Sequence, residues 1–345
     1  MAKLFFLLSG EFESLSFAEL EAILQAEGFA YSVVEKLDQA VRLEADVACV
    51  EHVRRRSGYT RVCGLELFTC DASDEAVVEA AGKIDFKAVL AEGETFEVRV
   101  RRVKECTSKE AHVRYERLLG ALILRAAPHA RVDLEKPSKT FYGVLTAGKF
   151  VFGLKLADVA PKPFVERRAR KKPFFHPSAM NAKLARCMVN LAHARVGDYV
   201  LDPFCGTGST AIEAALIGAR AVAVDVQRRM AEGAKRNLKH FGLAAEAVVV
   251  ADARRLPFVG VDCVVTDPPY GRSATTLRSS TRAIVEGVLA SVYPLLRVGQ
   301  RICIASPKTL GIRQVGEKLG YRHVESHFAY VHRTLTREVA VFVKE

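Results

Sequence analysis

From Asn181 onward, short β-rich runs alternate with helix-length stretches, and glycines or aspartates stand at the junctions. A helix-like stretch over Ala182–Ala194 precedes DYVLD (198–202), and a second from Ser209 to about Ile217 precedes AVAVD (221–225). A third, MAEGAKRNLKHF (230–241), stops at Gly242 and is followed by AVVVAD (247–252), VDCVVTD (261–267) and RICIAS (301–306). Neighbouring parallel strands need a crossover of a dozen or more residues, usually a helix, so this spacing predicts a largely parallel sheet covered on both faces. Sheets of that kind bind ligands at the carboxyl ends of their strands. That rule makes the junction residues the ones to examine.

The first half has a different texture. KLFFLL (3–8) reads as a buried strand, Ser16 and Glu19 form a capping-box pattern before Phe17–Ala26, and a strand-like run covers Ser32–Leu43. RVCGLELF (61–68) and TFEVRVRRV (95–103) read as strands; in the latter Phe96, Val98 and Val100 alternate with Glu97, Arg99 and Arg101. A helix is expected over Lys109–Ala127 and paired strands at Thr140–Leu145 and Phe150–Leu156. The half reads as an α+β binding module. Pro161, Pro163, Pro173 and Pro177 then frame Arg167, Arg168, Arg170, Lys171 and Lys172, a stiff basic connector.

Charge supports this division. The formal net charge is +11, yet residues 1–45 carry −5 while residues 176–345 carry +9. A positive excess concentrated in the connector and the second half points to a polyanionic partner, with the basic connector as a phosphate contact or an ordinary solvated linker. The 8 cysteines form no CxxC pair, so neither a metal site nor a disulfide framework is expected. The apolar run Leu4–Leu8 is too short for a signal peptide, and a soluble, cytoplasmic protein is expected.

Four signals fall in order at predicted strand ends. VLDPFCGTGST (200–210) carries Gly206 and Gly208, which allow a tight turn and close backbone approach to a ligand. Asp225 ends the next strand, placed to accept from ribose hydroxyls, and Asp252 with Ala253 ends the one after, placed to meet an adenine edge. Each taken singly is also an ordinary turn or helix cap. The fourth, TDPPYG (266–271), is the most specific. An exocyclic base amine is a weak nucleophile because its lone pair is delocalised into the ring. Asp267 and the Pro268 carbonyl can both accept from it, Pro268 and Pro269 stiffen the turn, and Tyr270 can stack on an extruded base.

At this point the sequence resembles the class I S-adenosylmethionine-dependent methyltransferases that modify base amines. KPFFHPSAMNAKLARCMVNLA (172–192), DPFCGTG (202–208), LIGA (216–219), DPPYGRS (267–273) and HRTLTR (332–337) narrow the resemblance to the archaeal tRNA (guanine(10)-N2)-methyltransferases; Thr334 stands where that family commonly has serine. The resemblance implies a ferredoxin-like domain at 1–50 and a THUMP RNA-binding domain at 51–156. A linker at 157–176 and a Rossmann-like methyltransferase domain at 177–345 follow, the last with seven strands of which the final one is antiparallel. It further implies S-adenosylmethionine lying across Asp202, Phe204, Gly206, Gly208, Asp225, Val226, Asp252 and Ala253. His176 and Pro177 would begin a cofactor lid, though His176 reads equally as a turn residue. The partner implied is tRNA, with no DNA, membrane or obligatory protein partner. The basic residues set against RNA are Arg99, Arg101, Arg102, the connector residues Arg167, Arg168, Arg170, Lys171 and Lys172, and His332, Arg333 and Arg337. The last three either touch RNA or hold the catalytic loop.

Other readings remain at this stage. A dehydrogenase is disfavoured because DPPY has no role in hydride transfer and the glycine loop is not GxGxxG. A DNA amino-methyltransferase shares DPPY, and a guanine-N2 enzyme acting at tRNA position 6 or on rRNA shares both halves. A non-catalytic RNA-binding protein would not need the intact tetrapeptide.

Overall fold

The computed structural model describes residues 1–104, 110–270, 280–333 and 335–345. Its strands are β1 (Ala2–Leu8), β2 (Tyr31–Leu37), β3 (Ala40–Ala45), β4 (Thr60–Asp71), β5 (Thr95–Arg102), β6 (Arg131–Val132), β7 (Lys139–Thr146), β8 (Lys149–Asp158), β9 (Tyr199–Asp202), β10 (Arg220–Asp225), β11 (Ala247–Val250), β12 (Cys263–Thr266), β13 (Arg301–Pro307), β14 (Tyr321–His332) and β15 (Leu335–Lys344). The helices are α1 (Glu13–Ala26), α2 (Cys49–Arg56), α3 (Asp74–Gly82), α4 (Phe86–Val89), α5 (Ala111–Ala126), α6 (Lys162–Glu166), α7 (Ala182–Leu191), α8 (Ser209–Leu216), α9 (Arg228–His240), α10 (Thr281–Val292) and α11 (Ile312–Lys318). No described helix is long and apolar enough to cross a membrane.

Contacts divide the chain into two compact units. The first comprises Met1–Glu13, Phe29–Arg54 and Thr60–Val159; the second comprises Ser14–Gly28, Arg55–Tyr59 and Ala160–Glu345. The first unit is built on one sheet, ordered β2-β3-β1-β4-β8-β7-β5-β6. The inward face of β5 predicted from its alternation is confirmed: Phe96, Val98 and Val100 are buried beside Tyr115, Leu119 and Ile123 of α5. The strand-like run at 32–43 is instead a hairpin, with Leu37 paired to Ala40 across Asp38 and Gln39. Gln39 takes φ +52, a conformation usually given to Gly or Asn, so the turn left no signature in the sequence.

The second unit carries a seven-stranded sheet ordered β11-β10-β9-β12-β13-β15-β14. β10 pairs in parallel with β9 and β11, and β12 in parallel with β9 and β13, while β15 runs antiparallel to both β13 and β14. This is the mixed α/β sheet expected, with its order reversing between β9 and β12, the switch point at which such folds open a crevice. One face is packed by Val285, Val288, Leu289, Ile312 and Val315 from α10 and α11 against Val264, Ile302, Ile304 and Phe342.

Helix α1 also belongs to this unit, and it begins at Glu13 rather than after a Ser16 cap. Ser16 and Glu19 are both buried. Glu19 reaches away from its own helix: its carboxylate accepts from Ser57 Oγ (2.7 Å), Gly58 N (2.9 Å), Tyr59 N (2.9 Å) and Asn190 Nδ2 (3.0 Å). Arg56 completes the knot with bonds to Asn190 Oδ1 and the Ala194 carbonyl, and an ion pair to Glu27 at 2.5 Å. Two segments distant in sequence are thereby fastened to α7.

Candidate active site

Every strand from β9 to β12 delivers an aspartate at or just past its carboxyl end: Asp202 closes β9, Asp225 closes β10, Asp252 follows β11 by two residues, and Asp267 follows Thr266 of β12. Parallel register puts these ends side by side. They line one cavity of about 1390 Å³ in the second unit, together with Phe204, Gly206, Val226, Ala253, Pro268, Pro269 and Tyr270. His176 and Pro177 line it too, the histidine held through Nδ1 at 2.7 Å from Ser178 Oγ.

The glycine loop shows why two glycines are needed. Gly206 has φ +50, and a Cβ there would meet nothing nearer than the Phe204 carbonyl at 4.0 Å, so a side chain would project into open cavity. Gly208 has φ +79 and caps α8; it lies behind the lining, where a Cβ would sit 3.0 Å from Ala234 Cβ. One glycine keeps the ligand space clear and the other allows close packing of α8 on α9. Asp225 locks the loop, its two oxygens accepting from Gly206 N (3.0 Å) and Gln227 N (2.9 Å). Each oxygen retains a lone pair for a further donor. Asn237, buried in α9, accepts from Phe174 N and donates to the Phe174 and Thr207 carbonyls, tying residue 174 to the glycine loop. Nothing in the sequence distinguished this asparagine from a surface helix residue.

Asp252 forms a two-pronged pair with Arg254, Nε to Oδ1 at 3.0 Å and Nη2 to Oδ2 at 2.6 Å, which holds its carboxyl below the usual range. Asp202 is the opposite case. Burial pushes it up to about 7, against hydrogen bonds from Thr266 Oγ1 (2.9 Å) and Phe204 N (3.1 Å) that favour its ionised form.

The tetrapeptide is held from β15. Arg337 pairs with Asp267 (Nη2 to Oδ2, 3.1 Å), donates from Nε to the Tyr270 hydroxyl (2.5 Å), and lies 5.7 Å from the Tyr270 ring centre. Only 14% of the Arg337 side chain and 17% of the Asp267 side chain remain exposed. Burial raises the Asp267 carboxyl, and the Arg337 guanidinium and Tyr270 oppose that rise. Asp267 Oδ1 is buried with no hydrogen-bond partner among the described residues. A carboxylate oxygen left unpaired beside a cavity is an acceptor waiting for a donor that none of the described residues supplies.

The basic residues scatter more than the sequence suggested. Arg167 is buried in an ion pair with Glu213 (2.6 Å) that also engages Arg186 (2.8 Å), and Lys172 is buried with Nζ 2.7 Å from Ser209 Oγ. Both were expected against phosphate and instead pack beside α8, because Glu213 is buried there and needs positive partners. Arg337 is likewise committed to Asp267 and Tyr270 rather than displayed. Arg168, Arg170, Lys171 and Arg333 are exposed, Lys171 pairing with Glu166. In the first unit Arg101 is exposed and Arg102 half-buried, while Arg99 pairs with Glu97. The His332 side chain, Thr334 and the Gly271–Arg272–Ser273 stretch lie outside the described residues.

Fold and site together define a Rossmann-like methyltransferase of the amine-modifying kind. The family model described as an RMKL-like methyltransferase domain matches residues 168–337. A DNA methylase model matches residues 97–236, a stretch that ends before the DPPY segment. A tRNA (guanine(10)-N2)-dimethyltransferase of Methanothermobacter thermautotrophicus is 37% identical over 337 residues, covering 97% of each chain. That of Methanocaldococcus jannaschii is 31% identical, covering 98% of this chain and 99% of its own. The crystal structure of TrmN from Thermus thermophilus shares the fold, with a TM-score of 0.55, 22% identity and coverage of 99% of this chain and 100% of the other. The chain belongs to the tRNA (guanine(10)-N2)-dimethyltransferase family.

Proposed function

We propose that this protein methylates the exocyclic N2 of guanosine 10 in tRNA, using S-adenosylmethionine and adding up to two methyl groups. The observation that carries this reading is Oδ1 of Asp267, without a partner among the described residues and buried at the cavity wall with Tyr270 three residues on. The residues fit the cofactor: Asp225 retains acceptor capacity for ribose hydroxyls, Gly206 leaves backbone open to the ligand, and Asp202 and Asp267 line the cavity as carboxyls whose ionised forms a cationic donor would favour. S-adenosylmethionine, when bound, supplies an electrophilic methyl group.

The chain's own residues do the rest. Tyr270 offers a ring face to the extruded base. Asp267 Oδ1 accepts one N2 hydrogen and the Pro268 carbonyl the other, fixing the amine plane and raising electron density at nitrogen. As nitrogen becomes cationic on alkylation, Asp267 can take the proton, burial raising its affinity for it and the Arg337 guanidinium beside it opposing that rise. N2-methylguanosine still carries one N–H, so the same carboxylate can serve a second transfer. After that no N–H remains and the reaction stops.

We place residues 51–156 as the THUMP domain that grips the tRNA, preceded by a ferredoxin-like domain at 1–50 and joined by the 157–176 linker to the catalytic domain at 177–345. On this reading the enzyme works in the cytoplasm without an obligatory protein partner. The test is transfer of labelled methyl groups to unmodified tRNA transcripts, followed by nucleoside analysis. Labelled N2-methyl- and N2,N2-dimethylguanosine, lost when guanosine 10 is replaced, is the expected result. Asp267→Asn should abolish transfer while binding S-adenosylhomocysteine as before. Label on adenine or cytosine would overturn the assignment.

A further inference from the structure

Charge alone does not account for the burial of Lys172. Desolvation pulls its ammonium down to about 8. Glu213 opposes that fall, yet its carboxylate already holds Arg167 at 2.6 Å and Arg186 at 2.8 Å, and Arg167 repels the lysine. A third cation is not needed to satisfy Glu213, and burying one costs free energy. The ammonium is committed to a hydroxyl instead: Nζ lies 2.7 Å from Ser209 Oγ. An ammonium carries three donors and no acceptor, so the Ser209 oxygen must accept from it, and the serine's own hydrogen is left to point elsewhere. It points to the Met180 carbonyl, 3.1 Å away. Lys172, Ser209 and Met180 are all buried, and the chain from ammonium to hydroxyl to carbonyl runs one way, each bond polarising the next.

Met180 belongs to a strap. Residues 176–181 line the cavity, and upstream of them Phe174 is held through both its backbone groups by Asn237, which also holds the Thr207 carbonyl. The Phe174 ring lies against Gly233 of α9, where any side chain would collide with it. Between these two fastenings Phe175, Pro177 and Ser178 stand exposed. Both fastenings lead to the glycine loop: Thr207 lies within it, and Ser209 is the first residue of α8 after it. Lys172 is bonded to a lining residue without lining the cavity itself.

We propose that Lys172 is a positioning residue for the cofactor: acting through Ser209, it fixes the Met180 carbonyl, and with it the strap 176–181, against the glycine loop. This deepens the cofactor reading above and rests on it. A strap fastened at Phe174 alone would be free to move at its other end, and binding would then have to order it, which weakens affinity. With Met180 fixed as well, that wall of the cavity is in place before the ligand arrives. The role belongs to binding rather than to the transfer step, because Lys172 and Ser209 meet the glycine loop and not Asp267 or Tyr270.

The experiment uses the full-length protein and calorimetric titration with S-adenosylhomocysteine. Lys172→Met should weaken that affinity by about 10-fold or more, as for the loss of a hydrogen bond from a charged donor. Affinity for tRNA should stay at the wild-type value. In methyl transfer the loss should fall on KM for S-adenosylmethionine, with kcat near wild type. Ser209→Ala cuts the same chain one bond further along, leaves the ammonium beside Glu213, and should weaken binding to a similar extent. The double variant should be no weaker than either single one, since each removes the same fastening. Hydrogen exchange in the free protein should quicken over residues 175–181 in both variants and stay at wild-type rates in β9 to β12. Wild-type affinity for S-adenosylhomocysteine in both single variants, a Lys172→Met loss confined to tRNA affinity, or additive losses in the double variant would overturn the latch while leaving the cofactor reading intact. Failure of the wild-type protein to bind S-adenosylhomocysteine would overturn the cofactor reading itself. If Lys172→Met does not fold, Ser209→Ala decides alone, by its affinity and its exchange over the strap.

Discussion

Arg337→Gln tests whether the buried guanidinium keeps the catalytic carboxylate ionised. The Nη2 to Oδ2 separation is 3.1 Å and both side chains are largely buried. At an effective dielectric constant of about 20 the attraction at that distance is about 5 kcal/mol, part of which is offset by desolvation of the two charges. Losing an opposite charge this close moves a carboxylate's titration by about 1–3 pH units. Burial already raises Asp267 and Arg337 opposes it, so removing Arg337 lets the carboxyl rise further. Activity needs the ionised form and fails as pH falls through the folded-state value. The variant's acid limb must therefore move to higher pH, by about 1–3 units. On the acid side of that limb, single-turnover transfer should fall by roughly 10- to 1000-fold and recover in part as pH is raised, each unit being worth 1.36 kcal/mol. A pH-independent loss should remain, because Arg337 also donates to Tyr270. Arg337→Lys keeps a charge but loses the fork and should leave the limb near its wild-type position. The assay is single-turnover methyl transfer across the pH range, with tRNA affinity measured in parallel. A rate loss uniform in pH, or a loss confined to tRNA affinity, would refute the electrostatic role.

Two further perturbations separate cofactor chemistry from architecture. Asp202 stands at about 7, well above an unfolded aspartate, so the free protein gains stability from the protonated form at low pH and loses it as pH rises through about 7; a cationic cofactor favours the ionised form, so S-adenosylmethionine should bind more tightly above that value and release a proton on binding. Calorimetry in buffers of different ionisation enthalpy measures this, Asp202→Asn should flatten it, and equal affinity on both sides of neutrality would count against any contact with the cofactor's charge. Glu19→Ala removes the acceptor of the buried Gly58 N–H, while Tyr59 N keeps Ser57 Oγ and Asn190 Nδ2 keeps the Arg56 carbonyl; at about 1–3 kcal/mol for the orphaned donor, the variant should melt a few degrees below wild type, and an unchanged melting temperature would show that the knot contributes little.

The contrast between what the sequence disclosed and what it did not has a physical cause. Asp202, Asp225, Asp252 and Asp267 were legible because a parallel sheet with helical crossovers brings successive strand ends into line, so position along the chain maps onto position around the cavity. Gly206 and Gly208 were legible because left-handed backbone angles beside a ligand crevice favour glycine. The hidden features are all pairings between distant segments. Arg337 was read as either touching RNA or holding the catalytic loop, and it takes the second role because β15 inserts antiparallel between β13 and β14. Arg167 and Lys172 look like linker charges until buried Glu213 and the Ser209 hydroxyl are seen beside them. Glu19 fits a capping box in sequence, yet its carboxylate serves Ser57, Gly58, Tyr59 and Asn190 instead. That last misreading bears on how the catalytic unit is assembled. Residues far upstream of the linker thus hold α7 within the catalytic unit. A fragment beginning after the linker would keep the aspartates and the DPPY segment and still lose the Glu19 and Arg56 contacts on which α7 rests.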